Sequence, residues 1–452
     1  MVLQRFADYA AGLTADGLPE ATIHAAKRAV IDWFASALRG GLEPPATLLT
    51  EAFSDTTGAA ILYPSGRSTD ARTAALINGA ASHTIEFDDI YRDGLYHPGA
   101  PVISAALALA QAKGLSGKGF LLSVIAGYEV SNRMAVCVNP AHYEYWHTTA
   151  TIGTFGAAAG AAKVLGLDAD RMAHAMANAG TMAAGLQQAF RGEAMAKPMH
   201  AAHAAEVGVT LALAAEQGVT GVLDILEGPR GFGAAMGNDP DWDAAADELD
   251  KSFTIERTTF KNHAACGHTH AAIDGVLALK AEHGLKPDDI ARIRVGSFQK
   301  AEEICGNMNP QTIFEAKFSL AYCAAMAIRE GRVRLDAFSS DLLEDQDLRD
   351  LIAKVEVSVD ADIDAEFPLR RAAQVSIETT AGETFEHYSP TRKGDPDNPL
   401  SDDELADKFL EITNPVLGDD GAAAFLDQLW RLDETEDLCA LPLTPIKASA
   451  AQ

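Results

Sequence analysis

The amino-acid sequence predicts a mainly α-helical protein, in which a large all-α domain is interrupted by a smaller inserted α+β domain. Of the 452 residues, 48% are hydrophobic but only 7% are aromatic, and the apolar segments are rich in alanine and glycine. Such small side chains let helices approach closely, and alanine has the highest helix propensity. Because the chain exceeds the size that one hydrophobic core supports, we expect a helical domain at residues 1–265 and 400–452 and an α+β domain at residues 266–399.

The first half of the chain carries apolar residues at helical spacing. Within residues 19–39, Ile23, Val30 and Trp33 fall on one stripe, and Pro19 suits the first turn of a helix. The same pattern predicts further helices at residues 69–81, 102–113, 119–136 and 168–192.

The pattern changes near residue 255. Alternating, β-branched runs then predict strands at residues 290–297, 354–359 and 373–379, with helices at 271–283 and 318–329. We expect these strands to form a small antiparallel or mixed sheet. From residue 402 the sequence is helical again.

The stretch between two of the predicted helices, residues 82–101, is unusually dense in titratable groups. It reads SHTIEFDDIYRDGLYHPGAP. Its last five residues, from His97 to Pro101, should exclude a helix, because proline lacks an amide donor and clashes with the preceding turn. A catalytic loop and a solvated acidic loop both fit this composition.

Three further histidine-containing clusters lie at the starts of small-residue helices, at residues 142–149, 191–203 and 261–270. A helix beginning near His147 would direct free backbone amides at a bound anion. Lys197 precedes a proline, so we expect it on an extended or turn residue immediately before a helix.

Composition excludes several classes of function. The formal net charge of −28 argues against nucleic-acid binding, which needs a basic surface. No uninterrupted apolar run is long enough to span a membrane, and the N-terminus lacks a signal-peptide pattern. Five scattered cysteines do not suggest a disulfide framework, so we expect a cytoplasmic protein. An anionic substrate would require a local pocket of Lys, Arg and His.

Two kinds of catalytic site fit the residues poorly. Cys266, His268 and His270, with His200 and His203, could ligate a metal, but their spacing matches no closed zinc pattern. The G-x-S-x-G sequence of a serine hydrolase is absent. General acid–base chemistry on a polycarboxylate therefore fits best, with histidine as acid or base and lysine as ligand for the carboxylates.

A series of motifs in a fixed order resembles the MmgE/PrpD family. They are AKRAVIDWFASALRG, NGAASHTIEFDD, HPGAPVISAALALA, GYEVSNR, HTTATIGTFGAAAGAAKVLGL, MAKPMHAAHAAEVGVTLALAA, FKNHAACGHTHAAIDG, FEAKFSLAYCAAMAI, FPLRRAAQVSI and KGDPDNPLSDDELADKF. The resemblance implies a helical domain with a smaller α+β lid domain, a homodimer, and no metal, iron–sulfur cluster or other cofactor.

The resemblance also implies the site residues. His97 and His147 would be acid–base partners, Lys197 a carboxylate or enolate ligand, and Asp88 or Asp89 the residue that orients a histidine. A further group is expected to contribute a second acid or to bind substrate: Tyr145, His200, Lys261, Arg92, and His268 or His270.

The expected reaction is proton removal α to a carboxylate of a small di- or tricarboxylate. A hydro-lyase similar to 2-methylcitrate dehydratase is the first expectation. Ile90-Tyr91 and Gly99-Ala100 depart from the dehydratase motifs, which leaves open an iminodisuccinate-type epimerase with two bases or a cis-aconitate decarboxylase-like lyase. A catalytically silent scaffold would instead have its polar clusters dispersed in space.

Overall fold

A computed structural model of the chain describes residues 1–190, 192 and 194–441. The chain divides into two units, one formed by Met1–Phe260 together with the chain from Ser401 onward, the other by Lys261–Leu400. The described residues are mostly helical with a small sheet, which confirms the mainly α prediction.

The first unit begins with a series of helices and one short hairpin. Strands β1 (Ala60–Ile61) and β2 (Ser68–Thr69) pair antiparallel. The helices are α1 (Val2–Gly12), α2 (Glu20–Gly40), α3 (Ala46–Ala52), α4 (Ala71–Thr84), α5 (Gly99–Lys113), α6 (Gly117–Val138), α7 (Thr148–Val164), α8 (Ala169–Met182), α9 (Ala196–Glu216), α10 (Phe232–Met236) and α11 (Trp242–Asp247).

Helix α7 is the centre of this unit and packs against α5, α6, α8 and α9. Nearly every residue of α7 is buried. A Cβ added at Gly208 of α9 would lie 2.4 Å from the Cβ atom of Ala157, and one at Gly156 would lie 2.5 Å from the hydroxyl of Ser131 on α6. Glycine at these two positions therefore lets the backbones of three helices approach closely, as the small-residue composition predicts.

Helix α6 is long and apolar enough, by length and composition alone, to cross a membrane. However, 83% of its most apolar window is buried inside the structure. It is therefore a core helix of the first unit.

The second unit has a four-stranded mixed sheet. Its strands are β3 (Ile290–Ser297), β4 (Val355–Val359), β5 (Ala373–Thr379) and β6 (Thr384–Ser389), in the order β4-β3-β5-β6. The β3–β4 pair is parallel and the other two pairs are antiparallel. Its helices are α12 (His270–His283), α13 (Gln299–Cys305), α14 (Ile313–Lys317), α15 (Leu320–Glu330), α16 (Ser340–Glu344), α17 (Gln346–Ile352) and α18 (Ala361–Glu366).

The core of the second unit lies between the sheet and its helices. Alternate residues of β5 are buried, as expected for a strand with one face on a core. Helix α12 packs on β5, β6 and α15. The strand β6 was not predicted, because its exposed face carries polar residues and only its register with β5 identifies it.

The chain returns to the first unit with α19 (Asp402–Leu417) and α20 (Asp419–Trp430). Ser401 and Glu404 form a capping box at the start of α19. Residues 442–452 of the predicted helical segment lie outside the described residues, as do Arg191 and Glu193 of the predicted cluster at 191–203.

A buried ion pair joins α19 to α2. The ammonium of Lys408 lies 2.6 Å from Oδ1 of Asp32, and both side chains are fully buried. Lys408 also donates a 2.7 Å hydrogen bond to the carbonyl of Phe87 and lies 4.1 Å from the centre of the Phe87 ring. One side chain thus connects the C-terminal helices, α2 and the segment that precedes Asp88.

Several predicted helix boundaries differ from the structure, and two of these differences bear on the candidate site. Helix α5 begins at Gly99 rather than after Pro101, because the amide that proline lacks would have no partner in the first turn of a helix. Helix α8 ends at Met182 rather than near residue 192. Gly185, with φ of 144°, lies in the irregular segment that follows.

Replacing Lys408 with methionine should lower the free energy of unfolding by about 3–5 kcal/mol, because it leaves the Asp32 carboxylate buried without its ammonium. The double variant Lys408→Met/Asp32→Asn should recover part of this loss, since it removes the uncompensated charge. Urea unfolding of both variants tests the prediction. Lys118→Met is the matched control, because its pair with Asp16 is exposed and should contribute less than about 1 kcal/mol. An equal effect of Lys118→Met and Lys408→Met would contradict it.

Candidate active site

The predicted loop between α4 and α5 is buried, which excludes a solvated acidic loop. Asp88 and Asp89 are 1% and 2% exposed. The backbone is anchored by an antiparallel bridge between Ile90 and Thr259. Glu86 has φ of 60°, a left-handed conformation that is uncommon for a residue with a Cβ. Glu86, Asp88 and Asp89 therefore face other protein atoms rather than water, whereas Asp93 is exposed.

Asp88 contacts two histidines through one oxygen. Its Oδ2 atom forms a 2.7 Å hydrogen bond with Nδ1 of His83 and lies 3.1 Å from Nδ1 of His97. Burial alone would raise the pKa of Asp88, but the charges of His97 and His83 and their hydrogen bonds outweigh it and hold the pKa well below its usual range. Asp88 is therefore ionised at neutral pH and can only accept hydrogen bonds.

His147, immediately before α7, contacts a second histidine. Its Nδ1 atom lies 3.0 Å from Nδ1 of His200 on α9, so one ring donates and the other accepts. Burial first, and then the charges of His83, His200, Lys197 and His97, lower the pKa of His147 well below its usual range. Burial likewise lowers the pKa of His200 to about 4. Both rings are neutral at pH 7, so His147 can accept a proton or donate from a neutral N–H group.

Lys197 supplies a positive charge beside these rings. It lies on α9, one residue after the helix begins, and not on the extended residue that was predicted. The Lys197 ammonium forms a buried ion pair with Glu86 and lies 5.6 Å from the centre of the Phe190 ring. The ring of His147 meets Phe190 edge-on at 4.9 Å. A substrate carboxylate that binds Lys197 would have to share it with Glu86.

Asp89 differs from Asp88 in its contacts. It accepts hydrogen bonds from the hydroxyl of Tyr128 at 2.7 Å and from the amide of Gly99 at 3.0 Å. Burial, followed by the negative charges of Asp32 and Asp88, raises the pKa of Asp89 well above its usual range. The sequence left open which aspartate orients a histidine, and in the structure Asp88 is the one in contact. Asp89 instead holds the start of α5 at Gly99, two residues after His97.

Tyr145 and Arg92, two other predicted site residues of the first unit, differ from the buried histidines in their contacts. Tyr145 is 65% exposed, and the structure does not place its side chain in the buried histidine cluster. Arg92 is buried and its Nε atom lies 3.1 Å from Oδ1 of Asp93. Asp93 also pairs with Arg257 at 2.7 Å.

The remaining predicted residues, Lys261, His268 and His270, lie in the second unit. Lys261 and His270 are 1% exposed, and Nε2 of His270 lies 3.1 Å from the carbonyl of Ala265. His268 lies edge-on to Phe298, with ring centres 5.4 Å apart. Burial first, and then the charges of four cations headed by Arg371, lower the pKa of His268 well below its usual range.

The sequence left His268 and His270 as alternatives. Nδ1 of His268 is buried and has no hydrogen-bond partner within the described part of the chain, whereas His270 contacts a backbone carbonyl of its own segment. Of the two rings, His268 is the one with a nitrogen that an added ligand could use.

One group in the described part of the chain has donor atoms close enough to surround a metal ion. It consists of His83, Asp88 and His97, whose donor atoms lie within 4.8 Å of one another. Within this group, the Nδ1 atoms of both histidines contact the carboxylate of Asp88 directly.

Two family models match the chain along most of its length. The MmgE/PrpD N-terminal domain matches residues 4–245, and the MmgE/PrpD C-terminal domain matches residues 263–434. The chain belongs to the MmgE/PrpD family. This confirms the resemblance seen in the sequence.

Several curated relatives in this family carry the name cis-aconitate decarboxylase. The human protein is 27% identical over 99% of this chain and 94% of its own length. The mouse protein is 28% identical over 100% of this chain and 94% of its own length. A cis-aconitate decarboxylase-like protein, oryM of Aspergillus oryzae (strain ATCC 42149 / RIB 40), is 26% identical over 94% of this chain and 93% of its own length. These similarities support a lyase-like enzyme.

Two residues of the cluster in this MmgE/PrpD chain are not among those that the sequence predicts. His83 is at the end of α4 and Glu86 follows three residues later, both inside the stretch 82–101. Their contacts with Asp88 and Lys197 depend on the fold of the loop. The only signal in the sequence is that both lie in the same dense polar stretch as Asp88.

The lowered pKa of His200 predicts a pH-dependent stability. An unfolded His200 titrates near 6.5 and the folded one near 4, so between these values the unfolded chain binds more protons. Stability should therefore fall as the pH drops from about 6.5 to 4, and it should fall less steeply in His200→Asn. Thermal unfolding midpoints measured across this range test the difference. His203→Asn is the control on the same helix, and an unchanged slope in His200→Asn would contradict the prediction.

Proposed function

We propose that this chain is a lyase that moves a proton at a carbon next to a carboxylate of a small di- or tricarboxylate, using its own side chains for acid–base chemistry. The observation that carries the proposal is the buried contact of Asp88 with His97, beside a neutral His147 and the ammonium of Lys197. Proton donors, acceptors and a cation at one place are what such a reaction requires.

Decarboxylation of a cis-aconitate-like tricarboxylate is the first candidate, because the relatives named above bear that activity in their names. In such a reaction the bond to the departing carboxylate breaks and its electron pair forms a new C=C bond. The electrons of the original C=C bond take up a proton at the carbon next to another carboxylate. One proton is consumed and one CO₂ is released for each turnover.

The cluster contains a group for each part of this reaction. The ionised Asp88 stabilises a positive charge on His97, so that His97 can deliver the proton. His147, which is neutral, can donate a hydrogen bond to a carboxylate or receive a proton. Lys197 can hold a carboxylate and favour the developing negative charge.

A hydro-lyase acting on a 2-methylcitrate-like hydroxy acid is the second candidate. Elimination of water needs one group that removes the α proton and another that protonates the departing hydroxide. The two histidines differ in their contacts, which favours elimination of water. His97 contacts an ionised carboxylate, whereas His147 lies among other rings.

Proton NMR in deuterated water separates the candidates with four substrates: cis-aconitate, 2-methylcitrate, citrate and iminodisuccinate. We expect cis-aconitate to yield an alkene product that has lost CO₂ and gained one deuteron. An alkene formed from 2-methylcitrate would identify the hydro-lyase, and exchange of deuterium without elimination would identify an epimerase. Absence of turnover and exchange with all four compounds would contradict the proposed substrate class.

Replacing either His97 by asparagine or Lys197 by methionine should lower kcat/KM on the active substrate. A lost acid or base typically costs a factor of about 10²–10⁴. His203→Asn is the matched control, because His203 lies on the same helix as Lys197 but its Nε2 atom lies 3.3 Å from the carbonyl of Met182. Full activity of both His97→Asn and Lys197→Met would refute these assignments. The homodimer and the cytoplasmic location expected from the sequence stay predictions.

A further inference from the structure

His83 contacts both candidate acid–base histidines. Its side chain is fully buried in the last turn of α4. Its ring meets that of His97 edge-on, with centres 4.7 Å apart. It is stacked on His147 at 5.6 Å with an interplanar angle of 18°. The proposed reaction assigns no task to this ring.

The contact with Asp88 fixes where His83 carries its proton. An ionised carboxylate only accepts hydrogen bonds, so the 2.7 Å bond requires a hydrogen on Nδ1 of His83. The other nitrogen, Nε2, is buried and has no hydrogen-bond partner among residues that the structure describes. Buried polar atoms of this kind are rare in proteins. The ring is thus held by one bond, and that bond is to the aspartate.

Two rings share a single carboxylate oxygen. His83 hydrogen-bonds to Oδ2 of Asp88, while Nδ1 of His97 lies 3.1 Å from that same oxygen. Each ring therefore weakens the electrostatic interaction of Asp88 with the other ring. The charged and titratable groups around the two rings are Asp88, Asp89, Glu86, Lys197, His147 and His200.

We propose that His83 is a positioning residue for the reaction: it fixes the Asp88 carboxylate from α4 and limits how strongly that carboxylate holds His97 and its proton. Without His83, the Oδ2 atom of Asp88 would interact with His97 and no longer be shared between two rings. His97 would then keep its proton to a higher pH, because the whole negative charge would stabilise the cationic ring. This inference rests on the proposed function for its kinetic test only.

Two substitutions separate the hydrogen bond from the packing. His83→Phe retains a flat ring between His97 and His147 but donates no hydrogen bond. His83→Asn retains a short donor toward Asp88 and cannot take up a proton. Because the first candidate reaction needs His97 in its protonated form, we expect the alkaline limb of kcat/KM to move to higher pH by about one unit in His83→Phe. The shift should be smaller in His83→Asn, and KM should change less than kcat.

A matched control distinguishes this role from general loss of packing. His142 is another buried histidine of the first unit, bonded to the carbonyl of Met236 and the hydroxyl of Thr151. His142→Phe should lower the thermal midpoint without moving the alkaline limb of kcat/KM. If His142→Phe and His83→Phe shift the limb equally, His83 has no specific role.

A second measurement needs no substrate. The chain has 13 histidines, and ¹⁵N-histidine NMR identifies the His97 signal as the one missing in His97→Asn. In His83→Phe this signal should titrate at a higher pH than in the unmodified protein. An unchanged titration in a folded His83→Phe, or in His83→Asn if the Phe variant does not fold, overturns the proposal. A shifted titration in a protein inactive on every substrate leaves the proposal standing and refutes only the proposed function.

Discussion

The buried contact of Lys408 with Asp32 and the carbonyl of Phe87 is the interaction on which the site depends. It ties α2 and a helix from the C-terminal segment to the residue directly before Asp88. At the far side of the loop, Asp89 binds the amide of Gly99. The carboxylate between these anchors is thereby held in place although it lies in a loop. Stability of the fold and geometry of the site are consequently not independent properties of this chain.

Burial determines the protonation of the cluster more than the overall charge does. The chain carries a net charge of −28, yet His147 and His200 are kept neutral because desolvation disfavours their charged forms. Asp88 stays ionised in equally dry surroundings because two imidazole rings face it. Lys197, a cation at the cluster, is balanced by Glu86. Such a site can keep an ionised carboxylate and neutral imidazole rings a few ångströms apart.

The sequence predicts the architecture better than the site. Helical spacing locates most long helices, and the order of motifs identifies the family. It cannot tell Asp88 from Asp89, because adjacent loop residues have no periodicity and only the folded backbone decides which carboxylate meets a ring. For the same reason the sequence does not identify His83, which resembles an ordinary polar residue at the end of a helix. The predicted start of α5 is wrong for a different reason, because proline is tolerated in the first turn of a helix.

The close packing of α7 has a consequence for how new activities could arise. Gly156 of α7 lies against α6, and Gly208 of α9 lies against α7. The helix that follows His147 therefore has no room to shift or to accept larger side chains. Libraries built along this central helix would therefore lose most of their variants to misfolding, and directed evolution toward other substrates would gain little from them.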